Sequence, residues 1–295
     1  MPELPEVETV RLGLQQTTLH QTFTGGQVLL RRIVAYPPVM NDFLDHLKGY
    51  TIIHWHRRGK YLLAQLEKST LSGSLSTPSN VISHLGIHLR MTGQLLWVNQ
   101  IQPLPIHTRV RLFLNAGQEL RYVDQRTFGR MWWVPPDKSP ESVISGLGNL
   151  GLEPLSTQFT VEYLIHQIHH RRRPIKSTLL DQTIIAGMGN IYADEALFVS
   201  GINPVTPCSK LTIQQIQRLH HSIIQVLRDS IGLGGTTFRN FVNIKGINGK
   251  YGGQAWVYNR ERQPCLICTT EIVRLKLSGR SSHFCPVCQP VNEAQ

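Results

Sequence analysis

Two cysteine pairs near the end of this 295-residue chain set its strongest constraint: Cys265 and Cys268, then Cys285 and Cys288, in a C-x2-C-x16-C-x2-C pattern. Two intervening residues let both thiolates of a turn reach one ion, and four thiolates complete a closed tetrahedral set suited to structural zinc. Such a set keeps no position open for substrate, so the metal is expected to shape the chain and not to react. Two disulfides would use the same four residues. Acidic residues stand where a signal peptide carries a positive start and an apolar core, which points to the cytoplasm, where thiols stay reduced. One Zn2+ is therefore expected, stiffening a hairpin too short for its own core, with Arg274, Lys276 and Arg280 on it. His283, beside Cys285, is read as a bystander and Cys208 as a leftover reduced thiol.

Ahead of this finger the chain changes character once. Up to about residue 135, runs such as "GQVLLRRIVAY", "YTIIHWHRRGKYLLAQL", "VISHLGIHLRMTGQLLWV", "TRVRLFLNAGQELRYVD" and "GRMWWVP" are rich in β-branched, aromatic and Leu residues between turn formers. They predict a β-sandwich or barrel, preceded by a helix over 5–19 and interrupted by a loop at "EKSTLSGSLSTPSN". From "TVEYLIHQIHH" to "TIQQIQRLHHSIIQVLRDSIGLGG" the apolar spacing becomes helical, with "AGMGN" as a tight turn between two helices. "NIKGINGKYGGQ" reads as a loop. The expected class is α+β and multidomain: a β-sandwich over 1–140, a helical domain over 150–235, a loop region over 236–260 and a zinc-finger hairpin over 261–290.

Charge narrows the partner. Lys and Arg total 30 against 19 acidic residues, a formal net charge of +11, and such an excess favours a polyanion. No run approaches the roughly 18 apolar residues of a membrane span.

The opening "MPELPEVETV", the β-rich first half, "GMGNIYADEALF" in the helical part and the four-cysteine finger, in that order, closely resemble the formamidopyrimidine-DNA glycosylase family of the helix-two-turn-helix superfamily, bacterial enzymes of oxidised-purine repair. The resemblance implies a bifunctional DNA glycosylase and abasic-site lyase that excises 8-oxoguanine and formamidopyrimidines from duplex DNA, acting as a monomer with one structural zinc. Leu4 and the Arg126/Phe128 pair resemble this purine branch more than the related endonuclease VIII-like branch.

It also implies roles. Removal of Met1 would expose Pro2 as a secondary amine, an α-amino group titrating near ~8 against ~10.4 for lysine, to attack the sugar. Glu3 would move protons to and from that sugar and Glu6 would order the site, while Lys60 and Arg280 would contact phosphates and supply protons for the two eliminations. Lys176 and the turn residues Asn190 and Ile191 would bind phosphate, the latter two at a helix start. The Arg171-Arg172-Arg173 run reads equally as a solvated face. Met91, Arg126 and Phe128 would fill the gap left by the everted base, with His107 as a further DNA contact. Thr236 and Thr237 would lie near the base pocket beneath the loop at 243–254. Leu12 and Thr127 stand where many relatives carry arginine.

Overall fold

The structure, a computed structural model, describes residues 1–70, 79–236 and 243–291, and its chain divides into two compact units. The first comprises Met1–Pro2, Glu6–Gly148 and Thr236–Gly249. Its elements are α1 (Leu4–Thr17), β1 (Phe23–Val28), β2 (Val34–Tyr36), α2 (Met40–Leu47), β3 (Thr51–Arg58), β4 (Tyr61–Thr70), β5 (Ser79–His88), β6 (Gly93–Asn99), β7 (Thr108–Leu114), β8 (Gln118–Asp124), β9 (Arg130–Val134) and α3 (Pro140–Val143). One sheet runs β1-β7-β8-β6 and the other β2-β9-β5-β4-β3.

Alternation decides which faces meet. In β7, Val110, Leu112 and Leu114 are buried while the residues between them are half-buried. They share one apolar core with Leu95, Leu120 and Tyr122 and with Ile52, Trp55, Leu62, Leu85, Ile87 and Met131 of the other sheet. Each such side chain contributes about 1.5–3 kcal/mol by leaving water. Helix α1 adds Val7, Val10 and Leu14, spaced at three and four residues so that one stripe faces this core. The Trp55 indole N–H donates to Thr18 Oγ1 at 2.8 Å, which fixes the strand beneath the end of the helix. Asn115–Gly117 is the tight turn between β7 and β8, with Ala116 and Gly117 at φ 56° and 68°.

Three details differ from the sequence reading. The run 26–36 is two strands in different sheets, because Ile33, in the short turn between them, is drawn fully into the core. Residues 67–70 and 79–80, expected in a loop, extend β4 and β5, where the pairs Ser69↔Asn80 and Thr70↔Ser79 override their polar composition; residues 71–78 lie outside the described residues. Helix α2 was not anticipated: eight residues after Pro37-Pro38 give too short a pattern, yet Phe43 and Leu47 bury completely or nearly so.

The second unit comprises Glu3–Pro5, Asn149–Gly235 and Lys250–Gln295. It holds α4 (Val161–Ile168), α5 (Ile175–Leu179), α6 (Asn190–Val199), α7 (Ile213–Gly232) and the antiparallel hairpin β10 (Val273–Leu277) and β11 (Arg280–Phe284). A capping box starts α7: Thr212 Oγ1 accepts from the Gln215 N–H, and the Gln215 side chain accepts from the Thr212 N–H. Its Ile216, Leu219, Ile223, Val226 and Leu227 are buried. Helix α6 is buried on nearly every side, from Ile191 to Phe198, so each polar group it carries requires a partner inside the protein. Among the described residues no helix is long and apolar enough to cross a membrane.

Candidate active site

The chain's first residues are not frayed. Pro2 is buried, and Glu3, 3% exposed, places its carboxylate at the start of α6, where Oε1 accepts from the Ile191 N–H at 3.1 Å and Oε2 from the Tyr192 N–H at 3.4 Å. The helix needs this acid because its N-cap is Gly189, which has no side chain to offer those N–H groups. Glycine is required there for space: a Cβ on Gly189 would collide with the Glu3 carboxylate. Leu4 donates to the Gly187 carbonyl at 3.1 Å, and Gly187 lies at φ 85°. Gly189→Ala is therefore expected to cost about 1–3 kcal/mol of stability by overpacking and to displace Glu3, so that activity falls by more than stability alone explains. Denaturant melts paired with single-turnover assays on the folded variant check both parts.

Glu6, 1% exposed, holds Thr236 by accepting from its N–H at 2.8 Å and its hydroxyl at 3.1 Å. Thr237 lies outside the described residues. Two residues on, the Glu8 carboxylate binds Arg11 at 2.7 Å and Arg57 at 2.9 Å; burial opposes its ionisation, but the two guanidiniums hold its pKa below the usual glutamate range.

Lys60 occupies the two-residue turn between β3 and β4, after Gly59 at φ 54°, and is 7% exposed. Beside it is a residue the sequence reading did not single out. His88 stacks edge-on against Tyr61 at 4.5 Å and accepts the Arg90 N–H on Nδ1 at 2.9 Å. Burial, with the nearby charges of Arg90 and Lys60, pushes its pKa down to about 3. The unfolded chain therefore binds a proton here that the folded chain refuses, and stability falls as pH drops from about 6.5 through about 3. His88→Gln, which keeps an acceptor for Arg90, is expected to flatten that acid limb in denaturant titrations across the same range.

Met91 is half-buried in the turn between β5 and β6, and Arg126 and Phe128 are exposed in the turn between β8 and β9. The Arg126 guanidinium lies 4.9 Å from the centre of the Phe128 ring. His107 is half-buried, with Nδ1 3.1 Å from an Arg109 nitrogen.

In the second unit, Lys176 and Asn190 converge on one carbonyl. Lys176 Nζ donates to Ser281 O at 2.6 Å and Asn190 Nδ2 to the same oxygen at 2.9 Å. Lys176 is only 1% exposed and pairs with Asp194 at 2.7 Å. Burial lowers its pKa while Asp194 raises it back in part. These two side chains thus brace the residue following Arg280, which is itself exposed at the hairpin turn. Arg274, Lys276 and Arg280 line a groove there with Glu261 at its edge. Of the arginine run, Arg173 binds Asp181 at 2.7 Å and Arg171 donates to the Gln167 carbonyl, while Arg172 is exposed.

Helix α6 supplies two further acids that the sequence reading passed over as helix body. Asp194 also accepts from the Ser282 hydroxyl at 3.0 Å and the His283 N–H at 2.9 Å. Glu195, fully buried, accepts backbone N–H groups of Trp256, Val257 and Tyr258 at 2.8–3.0 Å. Burial raises its pKa against those three donors.

The four cysteines Cys265, Cys268, Cys285 and Cys288 bring their sulfurs within 4.8 Å of one another, with pairs at 3.4, 3.5 and 3.9 Å. A tetrahedral ZnS4 centre has edges of about 3.8 Å, so the set fits the ion. Backbone N–H groups of Ile267 and Cys288 point at Cys265 Sγ and Cys285 Sγ, both at 3.4 Å, as thiolates require. Burial pushes the Cys285 and Cys288 thiols up, while hydrogen bonds from Thr270 bring Cys268 down to about 6, and a cation at the centre favours the thiolate form of each ligand. His283 turns its ring to Asp194, and Cys208 is a free, buried thiol beside the Thr178 hydroxyl.

Comparison with known proteins matches three families along the chain. The formamidopyrimidine-DNA glycosylase N-terminal domain matches residues 1–131, the formamidopyrimidine-DNA glycosylase H2TH domain matches 150–242, and the zinc finger found in FPG and IleRS matches 262–291. A formamidopyrimidine-DNA glycosylase of Nostoc sp. (strain PCC 7120) is 61% identical over 289 residues, covering 98% of this chain and all of the relative. A Lactococcus lactis FPG mutant solved with Fapy-dG containing DNA superposes with TM-score 0.86 at 31% identity, covering 98% of this chain and 100% of the other. The Lactococcus lactis Fpg solved with abasic site containing DNA gives 0.85 at 32%, covering 98% and 99%.

Proposed function

The chain belongs to the formamidopyrimidine-DNA glycosylase family, and from that premise we propose that it excises oxidised purines from duplex DNA and then cleaves the abasic strand, using the amine of Pro2 as nucleophile. The observation that carries the reading is Glu3: a terminal carboxylate is held by two N–H groups at the start of α6 and buried, which is an ordered site and not a solvated end.

With Met1 removed, Pro2 N attacks C1′ of the damaged nucleotide. The C1′–base bond breaks, its electron pair leaving with the base, which takes a proton from water. The ammonium formed by the attack passes its proton to the Glu3 carboxylate, and the C1′–O4′ bond opens as Glu3 hands that proton to O4′. The product is an iminium, C1′=N+, which is cationic without needing a proton because the amine is secondary. It draws electrons from C2′–H, so removal of that hydrogen expels the 3′ phosphate, and a second elimination expels the 5′ phosphate. Lys60 and Arg280 steady the departing phosphates and deliver protons to them. Asn190, Ile191 and Lys176 hold the flanking backbone, directly or by bracing the finger. Met91, Arg126 and Phe128 occupy the space of the everted base, Arg126 facing the unpaired cytosine, with His107 beside the duplex. The zinc, bound by the four cysteines, supplies the rigidity that keeps Arg280 in place.

Borohydride trapping on an 8-oxoguanine:C duplex, followed by mass spectrometry of the cross-linked peptide, tests this directly. Adduct on Pro2 is expected. A free proline without adduct would sink the proposal, and faster release from thymine glycol:A would move the chain to oxidised pyrimidines.

A further inference from the structure

Met91, Arg126 and Phe128 stand on two separate turns, yet opening a base stack demands that they act as one body. Phe128 is 46% exposed, and Thr127, between it and Arg126, lies at φ 57° with its carbonyl accepting from the Arg32 guanidinium at 2.8 and 3.1 Å. What joins the turns is a fully buried carboxylate, Asp124, the last residue of β8. Asp124 Oδ1 accepts from the Thr92 hydroxyl at 2.5 Å, next to Met91. The same Thr92 oxygen accepts the backbone N–H of Arg126 at 2.9 Å. Asp124 Oδ2 accepts the Gly129 N–H at 2.9 Å, next to Phe128. The backbone of Asp124 is engaged as well: its N–H donates to the His107 carbonyl and its carbonyl accepts from Arg109 Nε, both at 2.9 Å.

Glycine is needed at 129 for the same closeness, since a Cβ there would strike the Tyr122 hydroxyl and lie 3.1 Å from Asp124 Oδ2. The Asp124 carboxylate and the Thr92 hydroxyl therefore reach the residue after Met91, Arg126 itself and the residue after Phe128, while the Asp124 backbone reaches His107. A hydroxyl that donates to a carboxylate while accepting a backbone N–H locks its rotamer, and hydrogen bonds to a charged group are the strong ones.

We infer that Thr92 and Asp124 are positioning residues that fix Met91, Arg126, Phe128 and His107 in one register, and that through Arg126 they set how strictly the enzyme demands cytosine opposite the lesion. The inference rests on the insertion roles proposed above. If Arg126 is held by Thr92, freeing its backbone lets the guanidinium meet other opposite bases, and discrimination is lost before catalysis is.

The test compares Thr92→Val, which keeps the shape and removes the hydroxyl, with Thr92→Ser, which keeps the hydroxyl, and with Arg126→Ala. Single-turnover excision of 8-oxoguanine is measured opposite C and opposite A, at a temperature where circular dichroism shows every variant folded. A 2-aminopurine beside the lesion reports insertion as unstacking fluorescence. In Thr92→Val the preference for C is expected to fall about tenfold, the scale of one hydrogen bond to a charged group, with a weakened fluorescence rise, while Thr92→Ser restores both. Preference unchanged in Thr92→Val but lost in Arg126→Ala would overturn the positioning role and leave the insertion reading standing. Preference unchanged in Arg126→Ala would overturn the insertion reading and this inference with it. Equal losses in Thr92→Val and Thr92→Ser would show that packing and not the hydroxyl matters, and would also overturn it.

Discussion

Glu3→Gln is expected to lower excision of 8-oxoguanine in single-turnover assays by roughly 10²–10⁴-fold, the range over which a positioned proton donor or acceptor acts, while affinity for lesion-bearing duplex is retained. Glutamine has nearly the same volume, so it fits the space that Gly189 leaves open and its carbonyl oxygen still accepts one of the two N–H groups of Ile191 and Tyr192. Its amide nitrogen faces the other and cannot accept. The charge lost at the start of α6 costs about 0.3–2 kcal/mol of stability, too little to unfold a protein of this size. A large activity loss in a folded, DNA-binding variant thus isolates proton transfer. Excision at the wild-type rate would remove Glu3 from the chemistry.

Stripping zinc with a chelator is expected to weaken DNA binding by roughly 10²-fold or more, the scale of two or more charge-assisted contacts at ~1.5–3 kcal/mol each. A structural zinc is worth ~10–16 kcal/mol to such a site, and an isolated two-stranded hairpin has little stability of its own. The β10–β11 hairpin closes through Ser278 and Gly279 at φ 48° and 78°, directly before Arg280, so the basic groove is only as ordered as the finger. Cys265 and Cys285 also pack against Phe198, Val257 and Ile272, and that small cluster opens when the thiols part. Fluorescence anisotropy before chelation, after it and after return of Zn2+ checks the effect. Unchanged affinity at complete metal release would mean that the finger does not hold DNA.

Legibility in the sequence followed locality. The four cysteines were readable because metal geometry dictates their spacing, and their sulfurs meet as that spacing requires. The change from strand to helix patterning was readable because alternation and 3.6-residue periods are local. Glu3 marked itself by its odd position, but its partner lies 188 residues away and no pattern announces such a contact. Lys176 resembles any lysine in a basic run until Asp194, two helices' worth of chain later, is placed beside it and both are buried. Asp194 and Glu195 sat within a quoted motif, yet adjacent acids in a helix ordinarily read as one solvated edge. Only the burial of α6 from Ile191 to Phe198 shows that they serve two different segments.

The discontinuity of the two units bears on synthesis. The second unit takes in Glu3–Pro5, and the first is completed by Thr236–Gly249, whose Ile244 packs into the sandwich core and accepts the Trp97 N–H on its carbonyl at 3.0 Å. At ribosomal rates of about 5–20 residues per second, Glu3 waits roughly 10–40 s before Ile191 and Tyr192 exist to receive it. A nascent chain stalled short of α6 therefore leaves the ribosome with its opening residues undocked. Translation order itself thus keeps the chain's first residues unassembled until its helical half has been made.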